Sequence, residues 1–132
     1  MSQTGGAPDR EAYIRGAREF LANKREALRE KNRKIRDRAV EDARAIIDMI
    51  VRDYNPLRIY QWGSILTKDE FRDYSDIDIA MEGITEIGTL SELEARAYRM
   101  TEFPLDLVAL EKVHPLHAES IRRKGRLVYE RP

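Results

Sequence analysis

The stretch RIYQWGSILTKDEFRDYSDIDIAMEG, residues 58–83, decides how this chain folds. It opens with a short apolar run that ends at Gly63-Ser64, crosses a polar segment, and enters a second apolar run carrying Asp76 and Asp78. Both runs have the length and composition of β-strands. Side chains alternate along a strand, so in DIDIAME the two aspartates share one face while Ile77 and Ile79 point to the core. Two residues of rise set their Cα atoms about 6.6 Å apart. Like charges that close repel, and neither carboxylate is easily buried. A cation between them relieves both costs, and at this spacing two carboxylates reach one Mg²⁺.

A third acid falls in a similar context. Asp106 lies within PLDLVAL, with Leu105 and Leu107 facing the opposite way. If that strand lies beside DIDIAME, Asp76, Asp78 and Asp106 converge as a metal site. Gly63 ends the first strand, where a missing Cβ lets the backbone turn sharply and approach a ligand. Ser64 and the N–H groups after it then open a short helix suited to phosphate. A phosphate cradle beside an acidic metal site is the equipment of phosphoryl or nucleotidyl transfer. The acid least occupied by metal can take a proton from an acceptor hydroxyl, and Asp106 is the candidate.

Outward from this centre, Asn55-Pro56 ends a long helical segment. Asp9 is placed to cap that segment near Arg10, and from Ala17 to Asn55 it contains neither Gly nor Pro. It reads as one helix, or as two with a break near Lys31-Asn32. Ile14, Leu21, Leu28 and Ile35 recur every seven residues, interrupted by Lys24, Lys31 and Arg38. A fuller stripe of Ala39, Ala43, Ile46, Ile47, Ile50 and Tyr54 should pack on the core. Thr89 and Glu92 form a capping box for a helix running to about Met100. Pro115 opens a last helix that ends at Lys124-Gly125, and RLVYE closes as a strand. The predicted organisation is a disordered tail over residues 1–8, a charged helical extension over 9–40, and a compact domain over 41–132.

The 132 residues suit one domain of modest core, with 42% hydrophobic and 36% charged residues. The absence of cysteine excludes disulfides and thiolate metal sites. No apolar run approaches the roughly 20 residues of a membrane span, and the polar start MSQTGGAPDR is unlike a secretory signal. A soluble, cytoplasmic protein is expected. Net charge is zero, yet Arg15 to Arg38 hold ten Lys or Arg against four Asp or Glu. That imbalance suits a solvated helix face, a helix docking on an acidic partner, or a nucleic-acid arm. His114 and His117 read as surface residues, and Trp62 as a half-buried core residue next to Gly63.

GSILTKDEFRDYSDIDIA followed by LDLVAL resembles the minimal nucleotidyltransferases of the DNA polymerase beta superfamily, over about Glu41 to Glu130. The resemblance implies an α/β (α+β) fold: a small mixed sheet flanked by helices, here with a long N-terminal helical extension. It further implies that Gly63 and Ser64 contact nucleotide phosphates and that Asp76, Asp78 and Asp106 bind Mg²⁺. The spacer from Ser64 to Asp76 is eleven residues, one more than usual, and Ile65 stands where many members carry Arg. Positive charge would then come from Lys68 or Arg72. Small members of the family are often antitoxins paired with HEPN-type toxins, and some adenylylate a toxin tyrosine. The expected activity is Mg²⁺-dependent transfer of AMP from ATP to such a hydroxyl. The alternative is a catalytically weak or inactive binding module that neutralises a partner by contact. Self-association through the N-terminal helix is also open, and nucleic acid is not favoured.

Overall fold

The computed structural model describes residues 7–132. Helix α1 spans Ala7–Tyr54 without interruption, 48 residues or about 72 Å of rise. No break occurs near Lys31-Asn32, because nothing in that segment disrupts the hydrogen-bond ladder. The helix begins before Arg10. Pro8 sits in the first turn, where its missing N–H costs nothing, and Asp9 lies inside that turn rather than capping it. Of the tail expected over residues 1–8, only Ala7 and Pro8 are described, and both belong to α1. At the other end Asn55 adopts φ 47°, a left-handed conformation asparagine tolerates, and buried Pro56 prevents continuation.

The sheet contains β1 (Arg58–Trp62), β2 (Ile77–Glu82), β3 (Leu105–Ala109) and β4 (Arg126–Glu130). Their order is β3-β2-β1-β4, with β1 antiparallel to both neighbours and β2 parallel to β3. Parallel pairing needs a crossover, and helix α2 (Ile87–Tyr98) lies between these strands in the chain. Helix α3 (Pro115–Lys124) precedes β4. This is the mixed sheet flanked by helices that the resemblance implied.

Strand alternation divides the core. Ile59, Ile77, Ile79 and Met81 pack with Ala39, Ala43, Ile46 and Ile50 of α1 and with Leu90, Leu93 and Ala97 of α2. Tyr60 and Ala80, one residue out of phase, pack with Leu110 and with Ala118 and Ile121 of α3. Each face therefore has its own helices. The cap of α2 differs from expectation. Glu86, not Thr89, holds the N-terminus, accepting hydrogen bonds from the N–H groups of Gly88 (3.1 Å) and Thr89 (2.6 Å). The helix thus starts at Ile87, because a carboxylate can cap from this position as a hydroxyl can. His114 caps α3, its Nδ1 accepting from the Leu116 N–H at 3.1 Å. No helix of the described residues is long and apolar enough to cross a membrane.

Candidate active site

On the α3 face, register places three residues in one row: Trp62 on β1 opposite Asp78 on β2, and Asp78 beside Asp106 on β3. The row lies where β1 ends and where β2 and β3 begin. Asp76 sits one residue before β2, exposed, so only Asp78 of the pair is within the strand. The hydrogen bond from the Ile77 N–H to the Pro104 carbonyl, 2.8 Å, ties the starts of β2 and β3 together. Parallel register therefore brings Asp106 to Asp78, a pairing no local pattern specifies.

Electrostatics reports the proximity. Asp78 has its pKa pushed up to about 7, first by burial, then by the charges of Asp106 and of Asp76. Half-buried Asp78 is held toward its protonated form because its surroundings do not compensate the charge of the carboxylate. The hydroxyl of Tyr98, at the end of α2, has its pKa raised by burial and then by the charges of Glu94 and Asp106. Sequence reasoning passed over Tyr98, because only the fold brings the end of α2 to β3.

Gly63 faces this row. Its φ of 84° lies in the left-handed region, and a Cβ there would stand 2.2 Å from Asp78 Oδ2. Glycine is therefore required twice, by conformation and by contact with the acid. The turn over Ser64–Leu66 follows, its own bonds running from Leu66 N–H to the Gly63 carbonyl (3.2 Å) and from Thr67 N–H to the Ser64 carbonyl (3.0 Å). Those bonds leave the N–H groups of Ser64 and Ile65 uncommitted within the turn.

Two further residues hold the loop, and sequence reasoning singled out neither. Arg36 of α1 donates from Nε to the Ile65 carbonyl at 2.9 Å. Phe71 is fully buried, edge-on to Phe103 with ring centroids 5.7 Å apart. An aromatic within an otherwise polar loop, TKDEFRDYSD, was the available clue to the second. Lys68 is exposed and lines a cavity of about 190 Å³ with Arg29, Asn32, Arg33, Asp69 and Arg72, between α1 and the loop. None of the three acids borders that cavity. Arg72 bonds its own loop, donating to the Asp69 carbonyl (2.6 Å) and the Phe71 carbonyl (3.0 Å).

Carboxylate oxygens without thiolate or imidazole suit a hard cation such as Mg²⁺. The unrelieved charge on Asp78 is what such an ion would neutralise. Among the described residues, no three His, Cys, Asp or Glu side chains are already drawn together as a cage. The donor set fits the ion in chemistry, and closing around it requires side-chain rotation.

A mixed four-stranded sheet with acids at the starts of its parallel pair, opposite a glycine turn, is a nucleotidyltransferase fold. The family model described as "Polymerase beta, Nucleotidyltransferase" matches residues 44–132, and the chain belongs to that family. No curated protein matches it. Among solved structures it is similar to a chain of the toxin–antitoxin complex MntA-HepT, at 19% identity over 68% of this chain and 71% of that one, TM-score 0.53. It is similar to a chain of the tri-AMPylated Shewanella oneidensis HEPN toxin in complex with MNT antitoxin, at 21% identity over 70% and 73%, TM-score 0.54. A toxin–antitoxin structure with AMP-PNP gives 24% identity over 66% and 73%, TM-score 0.54. At these identities the likeness concerns the fold.

Proposed function

We propose that the protein transfers AMP from ATP to a hydroxyl acceptor in a Mg²⁺-dependent reaction, the acceptor being a tyrosine of a HEPN-type toxin partner in the cytoplasm. The observation that carries this is the row of Asp78 and Asp106 facing Gly63, with Asp76 acting on the same carboxylate. The MNT–HEPN and AMP-PNP structures to which the fold is similar support the choice of partner and nucleotide.

In this reaction Asp76, Asp78 and Asp106 would hold the metal, which supplies charge neutralisation to the phosphates. Ser64 and the adjoining N–H groups bind phosphate oxygens, and Gly63 lets the chain come close enough to do so. Arg36 and Phe71 keep that turn in place. Asp106, the most exposed member of the strand pair, accepts the proton of the acceptor hydroxyl. The acceptor oxygen bonds to the α-phosphorus as the bond to the bridging oxygen breaks, and pyrophosphate leaves. Incubation with labelled ATP, Mg²⁺ and a candidate toxin should label the toxin, and the Asp76→Ala/Asp78→Ala variant should not. Equal labelling by that variant would refute the assignment.

The altered Gly-Ser loop, with Ile65 after Ser64 and an eleven-residue spacer to Asp76, favours one other reading, a module that neutralises its partner by contact alone. Protection of cells by a variant lacking all three acids, at the level of the parent protein, would establish it over transfer.

A further inference from the structure

Every residue of α1 from Asp9 to Arg29 is exposed, an arm about 30 Å long outside the domain's core. In proteins most helical stability comes from packing an apolar face rather than from intrinsic propensity. Yet Tyr13 is 79% exposed, Ile14 42%, Phe20 64%, Leu21 47% and Leu28 56%. At 100° per residue they form one stripe, and it runs straight into buried Ile35. Three hollows follow the same line and share walls. The first, about 430 Å³, lies between Leu21 and Lys31; the second, about 570 Å³, between Lys31 and Glu41; the third, about 630 Å³, extends from Ile35 to the Arg99–Phe103 turn. Together they make one shallow groove leading from the arm onto the domain.

The charges along the α1 seam from Leu21 to Arg38 indicate what covers that stretch. Asp37 and Glu41 enter the second hollow and Asp42, Asp73 and Glu102 the third, so the cationic seam does not extend beyond Arg38. Leu21, Leu28 and Ile35 alternate with Lys24, Lys31 and Arg38, both sets spaced by seven. Glu19, Glu26 and Glu30 fall on the opposite face of the helix. The seam is therefore apolar and cationic in strict alternation. A second copy in parallel would set Lys24 on Lys24 and Lys31 on Lys31, like charges at the centre of a coiled-coil interface. Nucleic acid would leave the apolar positions uncovered. A helix carrying apolar and acidic residues alternately at the same spacing satisfies both sets.

The geometry points to this groove as the docking site for an acidic amphipathic helix of a partner protein, lying along α1 from Leu21 toward Arg38. The interaction is independent of nucleotide transfer.

It can be tested with a fluorescein-labelled synthetic three-heptad peptide with Leu and Glu at alternate seam positions, and a counterpart with Lys in place of Glu. Anisotropy is read on the full-length protein near physiological salt. The acidic peptide should bind and the Lys peptide should not. Leu21→Asp/Leu28→Asp should weaken binding at least tenfold, and circular dichroism should show the domain intact. Lys24→Glu/Lys31→Glu should reverse the preference, which misfolding cannot mimic. Equal binding of the two peptides, no binding, or failure of the reversal overturns the proposal. So does a dimer, seen by sedimentation, that Leu28→Asp dissolves, or an RNA oligonucleotide that displaces the acidic peptide.

Discussion

The substitution Asp78→Asn removes a charge from the acidic row while keeping its shape, and the consequence for stability can be worked out from the structure. The folded Asp78 carboxyl has a pKa of about 7 against an ordinary 3.8, through burial and through Asp106 and Asp76. Between those values the folded chain holds a proton that the unfolded chain releases, so the wild type loses stability as pH rises from about 4 to about 7. Taken whole, the displacement would amount to about 4 kcal/mol; the carboxylate is half solvated, and screening reduces it to about 1–2 kcal/mol. A carboxamide at this position has no proton to lose. The variant should match the wild type near pH 4 and exceed it by that amount at pH 8. Urea denaturation followed by circular dichroism, in EDTA at both pH values, measures the difference. Added Mg²⁺ at pH 8 should narrow the gap by stabilising only the wild type. A gap independent of pH, or a variant less stable at pH 8, would mean that Asp78 does not lie among uncompensated acids.

Gly63→Ala should cost more than the about 1–3 kcal/mol of a non-glycine residue at φ 84°, ψ −164°, because the new Cβ also meets Asp78 Oδ2; a denaturation midpoint unchanged from the parent would contradict the turn geometry. Phe71→Ala empties a fully buried site against Phe103 and should cost about 3–5 kcal/mol. Hydrogen exchange should show the loop between β1 and β2 opening in that variant, and unaltered protection there would remove Phe71 as its anchor. Glu86→Ala deprives the Gly88 and Thr89 N–H groups of their acceptor and should lower the denaturation midpoint. If Thr89→Ala costs more than Glu86→Ala, the cap assignment is wrong.

Much of this protein was legible along the chain because the signals were local. The apolar runs at residues 58–62 and 77–82, the stop at Asn55-Pro56, the inward set Leu90, Leu93 and Ala97, and the helix from Pro115 to Lys124 all appear where alternation, helical periodicity and breakers predict. Helix starts were less legible: α2 starts at Ile87 because Glu86, rather than Thr89, accepts from its first N–H groups, and several nearby side chains can compete for that role. The aspartates stood out as acids in apolar surroundings, and Gly63-Ser64 as a turn at a strand end.

Reading along the chain therefore yields the elements, the polarity of their faces and the residues with chemistry to offer. Which of those residues meet is set by how the elements pack. Asp78 stands beside Asp106 because β2 and β3 pair in parallel with a particular register. Gly63 faces Asp78 because β1 runs antiparallel to β2. Arg36 reaches Ile65 because α1 packs over the sheet, and Lys68 lines a cavity together with residues of α1. Strand partnership and helix docking depend on contacts between segments tens of residues apart, whose free energy is the burial of whole faces. Local pattern carries which face is apolar, and it does not say what that face will be pressed against.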